Sequence, residues 1–109
     1  QNRSTEYFNQ FTLLINQDFS AHRKVESYAR ELGITAPYLN NLCQQLVQKN
    51  ALHLIHERLL LEAKRNLIYT VLSISEIAYQ LGFSDPAYFT RFFKRLTNQS
   101  PKEFRKLIE

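Results

Sequence analysis

Apolar residues recur along this chain three or four positions apart, and nowhere do they alternate as a half-buried strand requires. Tyr7, Phe11, Leu14, Ile15 and Phe19 form one stripe and predict a first helix over 5–19, with Ser4 as its N-cap. After a polar break over 20–24, Val25, Tyr28, Ala29 and Leu32 mark a second helix over 25–32, stopped by Gly33. A third begins after Thr35 and takes Pro37 in its first turn, where amide donors lack helical partners anyway. Leu39, Leu42, Cys43 and Leu46 are its inward stripe. Leu52, Ile55, Leu59, Ala63 and Leu67 mark the core face of a long helix over 51–69, about 28 Å long at 1.5 Å per residue. Ser73 and Glu76 form a capping box for a fifth helix that reaches Leu81 and ends at Gly82. Asp85-Pro86 opens a sixth, with Phe89, Phe92, Phe93 and Leu96 inward. Ser100 and Glu103 form a second capping box for a last helix holding Phe104 and Leu107.

The pattern repeats. With Gly33 aligned on Gly82, Leu32 meets Leu81, Ala29 meets Ala78, Tyr28 meets Ile77 and Val25 meets Ile74. One residue is added in the second copy; then Tyr38-Leu39 meets Tyr88-Phe89, Leu42-Cys43 meets Phe92-Phe93, and Leu46 meets Leu96. The chain has two glycines, and both fall at the same point of the repeat. A short helix, a glycine-bearing turn and a second helix make the helix-turn-helix pattern, the alanine four residues earlier allowing close crossing. The expected fold is all-α: seven helices, two helix-turn-helix subdomains (1–50 and 71–109) joined by a long linker helix over 51–70. Two recognition helices read successive major-groove faces when set about 34 Å apart, and a linker of about 28 Å is of that order.

Composition narrows the chemistry. The net charge of +4 permits an acidic partner, and the surplus lies mostly in residues 51–109. The lone Cys43 sits at helical spacing among leucines and reads as a small buried hydrophobe; with no cysteine framework, a reducing, cytoplasmic setting is expected. No apolar run approaches the roughly 20 residues a membrane span needs, and no signal peptide is visible. The absence of methionine and the start at Gln1 lead us to expect a segment of a longer protein.

The stretch Ser75-Glu76-Ile77-Ala78-Tyr79-Gln80-Leu81-Gly82-Phe83-Ser84-Asp85-Pro86-Ala87-Tyr88-Phe89-Thr90-Arg91-Phe92-Phe93-Lys94-Arg95 resembles the signature of the AraC/XylS family of bacterial transcription regulators. Ser100-Pro101-Lys102-Glu103-Phe104-Arg105 resembles its usual ending. Arg58, with Glu62-Ala63-Lys64-Arg65 and Leu67, is similar to its linker helix. The resemblance runs from about Tyr7 to Ile108. It implies a DNA-binding domain that recognises promoter DNA. It also implies an effector-binding or dimerisation domain outside this chain, and contact with RNA polymerase during activation. There are departures. Asn98 stands where the family favours glycine, Gln48 takes the equivalent place in the first half, and Lys24 stands where the second half has the capping Ser73.

Helix geometry selects the groove-facing side, and the N-terminal part of a recognition helix enters deepest. The base-edge candidates are Ala36, Pro37, Asn40, Asn41 and Gln44 in the first copy, and Pro86, Ala87, Thr90 and Arg91 in the second. Asn and Gln suit adenine, Arg suits guanine, and small groups suit the thymine methyl. Ser84, Tyr88, Lys94, Arg95 and Thr97 are phosphate candidates. The charge asymmetry suggests that the second copy supplies most of the electrostatic affinity and the first mainly discrimination.

Catalysis would have to use His53, His56 and Glu57, for which no third ligand at a metal-site spacing is evident. We therefore expect no enzyme, no metal and no cofactor. The rival reading is a protein-interaction module using Glu57, Arg58, Glu62 and Arg65 of the linker helix. RNA is a poorer fit, because its deep, narrow groove does not admit a recognition helix.

Overall fold

The computed structural model describes residues 2–109. Among them it forms α1 (Arg3–Asp18), a single 3-10 turn (Phe19–Ala21), α2 (Val25–Leu32), α3 (Ala36–Val47), α4 (Ala51–Tyr69), α5 (Ile74–Gln80), α6 (Pro86–Thr97) and α7 (Pro101–Ile108). No strand occurs among the described residues. The chain divides into two compact units between Arg58 and Leu59. The long helix thus contributes Ala51–Arg58 to the first unit and its remainder to the second.

In the first unit, α1, α2, α3 and the start of α4 close on Phe11, Ile15, Tyr28, Ala29, Leu39, Leu42, Cys43, Ala51 and Ile55. Gly33 ends α2 in the left-handed conformation at φ 76°, and the Ile34 N–H reaches back to the Ala29 carbonyl at 3.0 Å. The segment before α2 is tied down by charge. Arg23 meets Asp18 at 2.7 Å and Glu31 at 2.9 Å, and stacks on the Tyr28 ring. The buried Tyr28 hydroxyl donates to Asp18 at 2.6 Å. Burial first, then that carboxylate, push the phenol well above its ordinary pKa.

The second unit repeats the turn. Gly82 lies at φ 88°, and the Phe83 N–H reaches the Ala78 carbonyl at 3.0 Å. Its core is more aromatic: Phe83 packs on Phe89 and Phe92, Phe89 on Phe93, and Phe93 on Phe104 at 5.4 Å. Both expected capping boxes form, Ser73 with Glu76 and Ser100 with Glu103.

Several expectations are corrected. Asn2, not Ser4, caps the first helix: its side chain accepts the Thr5 N–H at 2.9 Å, and the helix starts earlier. Leu46 and Leu96 are more than a third exposed, because α3 and α6 outrun the shorter helices α2 and α5 that face them. Leu52 is exposed too. The buried row of α4 is Ala51, Ile55, Leu59, Ala63 and Leu67, one step of four at a time, and Leu52 lies beside it.

Candidate nucleic-acid interface

The two copies agree position by position in what they bury. Leu39, Leu42 and Cys43 are buried in α3, as are Phe89, Phe92 and Phe93 in α6. The outward sides match as well: Pro37, Tyr38, Asn41 and Gln44 are exposed, and so are Ala87, Tyr88, Arg91 and Lys94. Ala36 and Asn40, with their counterparts Pro86 and Thr90, are half-buried at the edge of that face. Each helix is started by a side-chain cap, Thr35 accepting the Tyr38 N–H at 3.2 Å and Asp85 the Ala87 N–H at 2.8 Å. Each ends on a left-handed residue that is not glycine, Gln48 at φ 59° and Asn98 at φ 64°.

The chemistry of the two faces differs. On α3 the exposed groups are neutral amides. On α6 they are cations, and among the described residues Arg91, Lys94 and Arg95 form no ion pair with a carboxylate. Arg91 lies over the Tyr88 ring at 4.9 Å, and Arg95 lies 5.8 Å from the centre of the Phe92 ring. In both contacts the guanidinium itself lies near the ring, and Lys94 lies close enough to Glu103 to help hold that carboxyl below its usual range. Ser84 is exposed just before α6.

Two candidates have internal partners. The Thr97 hydroxyl lies 2.8 Å from the Phe93 carbonyl and 3.0 Å from that of Gln99, and it accepts the Gln99 N–H. Its place is the end of α6, and a phosphate contact would compete with these bonds. The Asn40 side-chain oxygen accepts the Ala51 N–H at 2.9 Å. Sequence reasoning missed this use of Asn40. The available signal was that the second copy has Pro101, which carries no N–H, where the first has Ala51.

The linker-helix charges are also engaged within the chain. Glu57 receives Lys49 at 2.7 Å and His53 at 3.2 Å; the Lys49 hydrogen bond first, then that of His53, hold its carboxyl below the usual range. Arg58 donates to Asn16 at 2.7 Å and stacks on Phe19. Arg65 lies 3.7 Å from Glu62. Among the described residues no group of three His, Cys, Asp or Glu is placed to hold a metal ion. No helix among them is long and apolar enough to cross a membrane. Cys43 is buried, and burial pushes its thiol up to about 11.

A model of the family described as a helix-turn-helix domain matches residues 28–107. The chain belongs to this AraC-type family of transcription regulators. The AraC-type domain is 40% identical, over 72% of its length, to the HTH-type transcriptional regulator GlxA of Rhizobium meliloti (strain 1021). It spans 24% of that regulator, about a quarter of the relative's own length. Among solved structures, the C-terminal domain of AraT, a response regulator from Geobacillus stearothermophilus, is similar with a TM-score of 0.87 and 27% identity. That likeness covers 97% of this AraC-type domain and 88% of the AraT chain. The DNA-binding domain of the global transcriptional factor AdpA, solved in complex with a target DNA, shares the fold, with a TM-score of 0.75 and 20% identity over 98% of this chain and 93% of that one.

Proposed function

We propose that this domain binds promoter DNA sequence-specifically as the DNA-reading part of a bacterial transcription regulator, with α3 and α6 each entering a major-groove segment. The observation that carries the reading is the matched outward face of α3 and α6: the same backbone register twice, once with amides and once with exposed cations. Asn41 and Gln44 are then the base-reading groups of α3, with Ala36 and Pro37 setting the close approach. On α6, Arg91 reads guanine, while Pro86, Ala87 and Thr90 offer small groups to a thymine methyl. Ser84, Tyr88, Lys94 and Arg95 hold phosphates.

The family supports the rest of the reading. The domain acts as a binding module and not as an enzyme, in the cytoplasm where promoter DNA is found. An effector-binding or dimerisation domain lies elsewhere in the regulator, and RNA polymerase is the second partner during activation. The internal pairing of Glu57, Arg58 and Arg65 weighs against the linker helix as the main interaction surface.

The test is selection of binding sequences from a random duplex pool, with wild type and Arg91→Ala side by side. Two recovered blocks, with one lost in the variant, are the expected result. Recovery of no preferred sequence by wild type would overturn the reading.

A further inference from the structure

Tyr88 and Arg91 stand three residues apart on α6, so their side chains share one side of the helix. The Arg91 guanidinium lies over the Tyr88 ring, 4.9 Å from its centre. Tyr88 belongs to the first turn of α6, so the arginine leans back toward the N-terminal end, which enters a groove deepest. Among the described residues no carboxylate pairs with Arg91. Tyr88 is 54% exposed, and burial in the core does not account for its ring. The matching position of the first unit is used differently. Tyr38 turns edge-on to Tyr7 of α1, ring centres 6.0 Å apart, and the residue three positions on is the uncharged Asn41. Among the described residues Tyr88 has no aromatic partner, and its ring meets a cation instead.

A guanidinium is planar. It can rest on an aromatic face while its N–H fork stays available for the O6 and N7 of a guanine. A long arginine side chain loses rotamer freedom when it binds, and a platform that holds it beforehand reduces that loss. Water leaves the contact when α6 enters a groove, and a desolvated cation–π contact is stronger than an exposed one. We infer that the Tyr88 ring is a positioning group for Arg91, and that it sets how strongly one base pair is discriminated without touching that base pair itself. The Tyr88 hydroxyl is not needed for this role and stays available for the phosphate contact proposed above. The inference rests on the proposed DNA reading, with Arg91 as a base reader.

The test compares two duplexes: the one wild type selects, and the same duplex with the base pair relaxed by Arg91→Ala replaced. Competition binding gives the preference between them for wild type, Tyr88→Leu, Tyr88→Phe, Arg91→Ala and the Tyr88→Leu/Arg91→Ala double variant, each with a melting curve. Tyr88→Leu changes an exposed position and is expected to melt close to wild type. Its preference should fall by about two- to fivefold, the scale of an exposed cation–π contact. Tyr88→Phe keeps the ring and should keep the preference; a lost phosphate contact would weaken both duplexes equally. Once Arg91 is Ala, adding Tyr88→Leu should lower the preference no further.

A folded Tyr88→Leu variant with the wild-type preference overturns the inference. So does a Tyr88→Phe variant that loses the preference as Tyr88→Leu does, since the hydroxyl would then be the group that matters. A further loss in the double variant also overturns it, because Tyr88 would then act on the base pair independently of Arg91. If Tyr88→Leu fails to fold, Tyr88→Gln takes its place and is read in the same way. Wild type selecting no sequence at all overturns the DNA reading and this inference with it. Wild type selecting normally, with Arg91→Ala relaxing one base pair and the Tyr88 arms failing, overturns this inference alone. Arg91→Ala relaxing no base pair removes Arg91 as a reader and overturns the inference too.

Discussion

Arg105 of α7 donates through Nε to the carbonyl of Leu67, near the end of α4, at 3.1 Å. Its other nitrogens reach the carbonyls of Leu72, Thr70 and Asn66. These lie at and just beyond the end of α4, where carbonyls lose their helical donors and the negative end of the helix dipole favours a cation. One planar fork of donors therefore closes the helix and holds the segment leading to α5.

Replacing Arg105 by Ala removes all four of these bonds, although the Asn66 carbonyl keeps the Thr70 N–H and hydroxyl. We expect a loss of about 2–3 kcal/mol, the scale of hydrogen bonds to a charged group, with Arg105→Lys recovering only part of it because an ammonium cannot span the fork. Denaturant unfolding measures this. A change within 0.5 kcal/mol, about that of an ordinary surface substitution, would show that the clamp contributes little.

Gln48 holds a left-handed conformation that costs a non-glycine residue about 1–2 kcal/mol. Gln48→Gly should raise stability, by less than that strain because glycine also loosens the unfolded chain. Asn98→Gly should gain less, since Asn tolerates the conformation better. Paired melting curves test the order.

Glu76 and Glu103 both sit below the ordinary carboxylate range, because each accepts first a backbone N–H and then a hydroxyl bond from its capping serine. A carboxyl whose folded pKa is depressed stabilises the fold above its unfolded pKa, and that contribution is lost as pH falls through the folded value. Stability should therefore decline below about pH 4.3, the unfolded Glu value. The Glu76→Gln/Glu103→Gln variant should be less stable at pH 7 and less sensitive to acid. Equal pH slopes for both proteins would contradict the assignment.

Burial raises the Cys43 thiol to about 11, so at pH 8 it stays neutral in the folded chain. A thiol-disulfide reagent should label it only through unfolding, at a rate that rises with denaturant along the unfolding transition. Fast labelling in native buffer would mean that the α3 side of the core opens locally.

Lys94 and Gln44 occupy equivalent places on α6 and α3. Under the proposed function, Lys94→Ala should flatten the salt dependence of DNA binding by about one unit of log–log slope, and Gln44→Ala should leave the slope unchanged while relaxing base preference. Equal flattening by both would remove the division of labour between the units.

Most of the secondary structure was legible locally. Asp85-Pro86, the two Ser-x-x-Glu boxes and the two glycines act within a few residues of their own backbone, so the sequence alone determined where α5, α6 and α7 begin and where α2 and α5 stop. The repeat likewise identified the outward sides of α3 and α6, because a helix of known register has only one face opposite its apolar stripe. Tertiary structure decided the rest. Leu46, Leu52 and Leu96 are apolar at helical spacing, yet whether they are covered depends on the length and position of a neighbouring helix. Arg105 and Asn40 could not be assigned from local pattern either. An arginine in a last helix and an asparagine on a polar face look like surface residues until the backbone groups they satisfy, far away in the chain, are brought beside them.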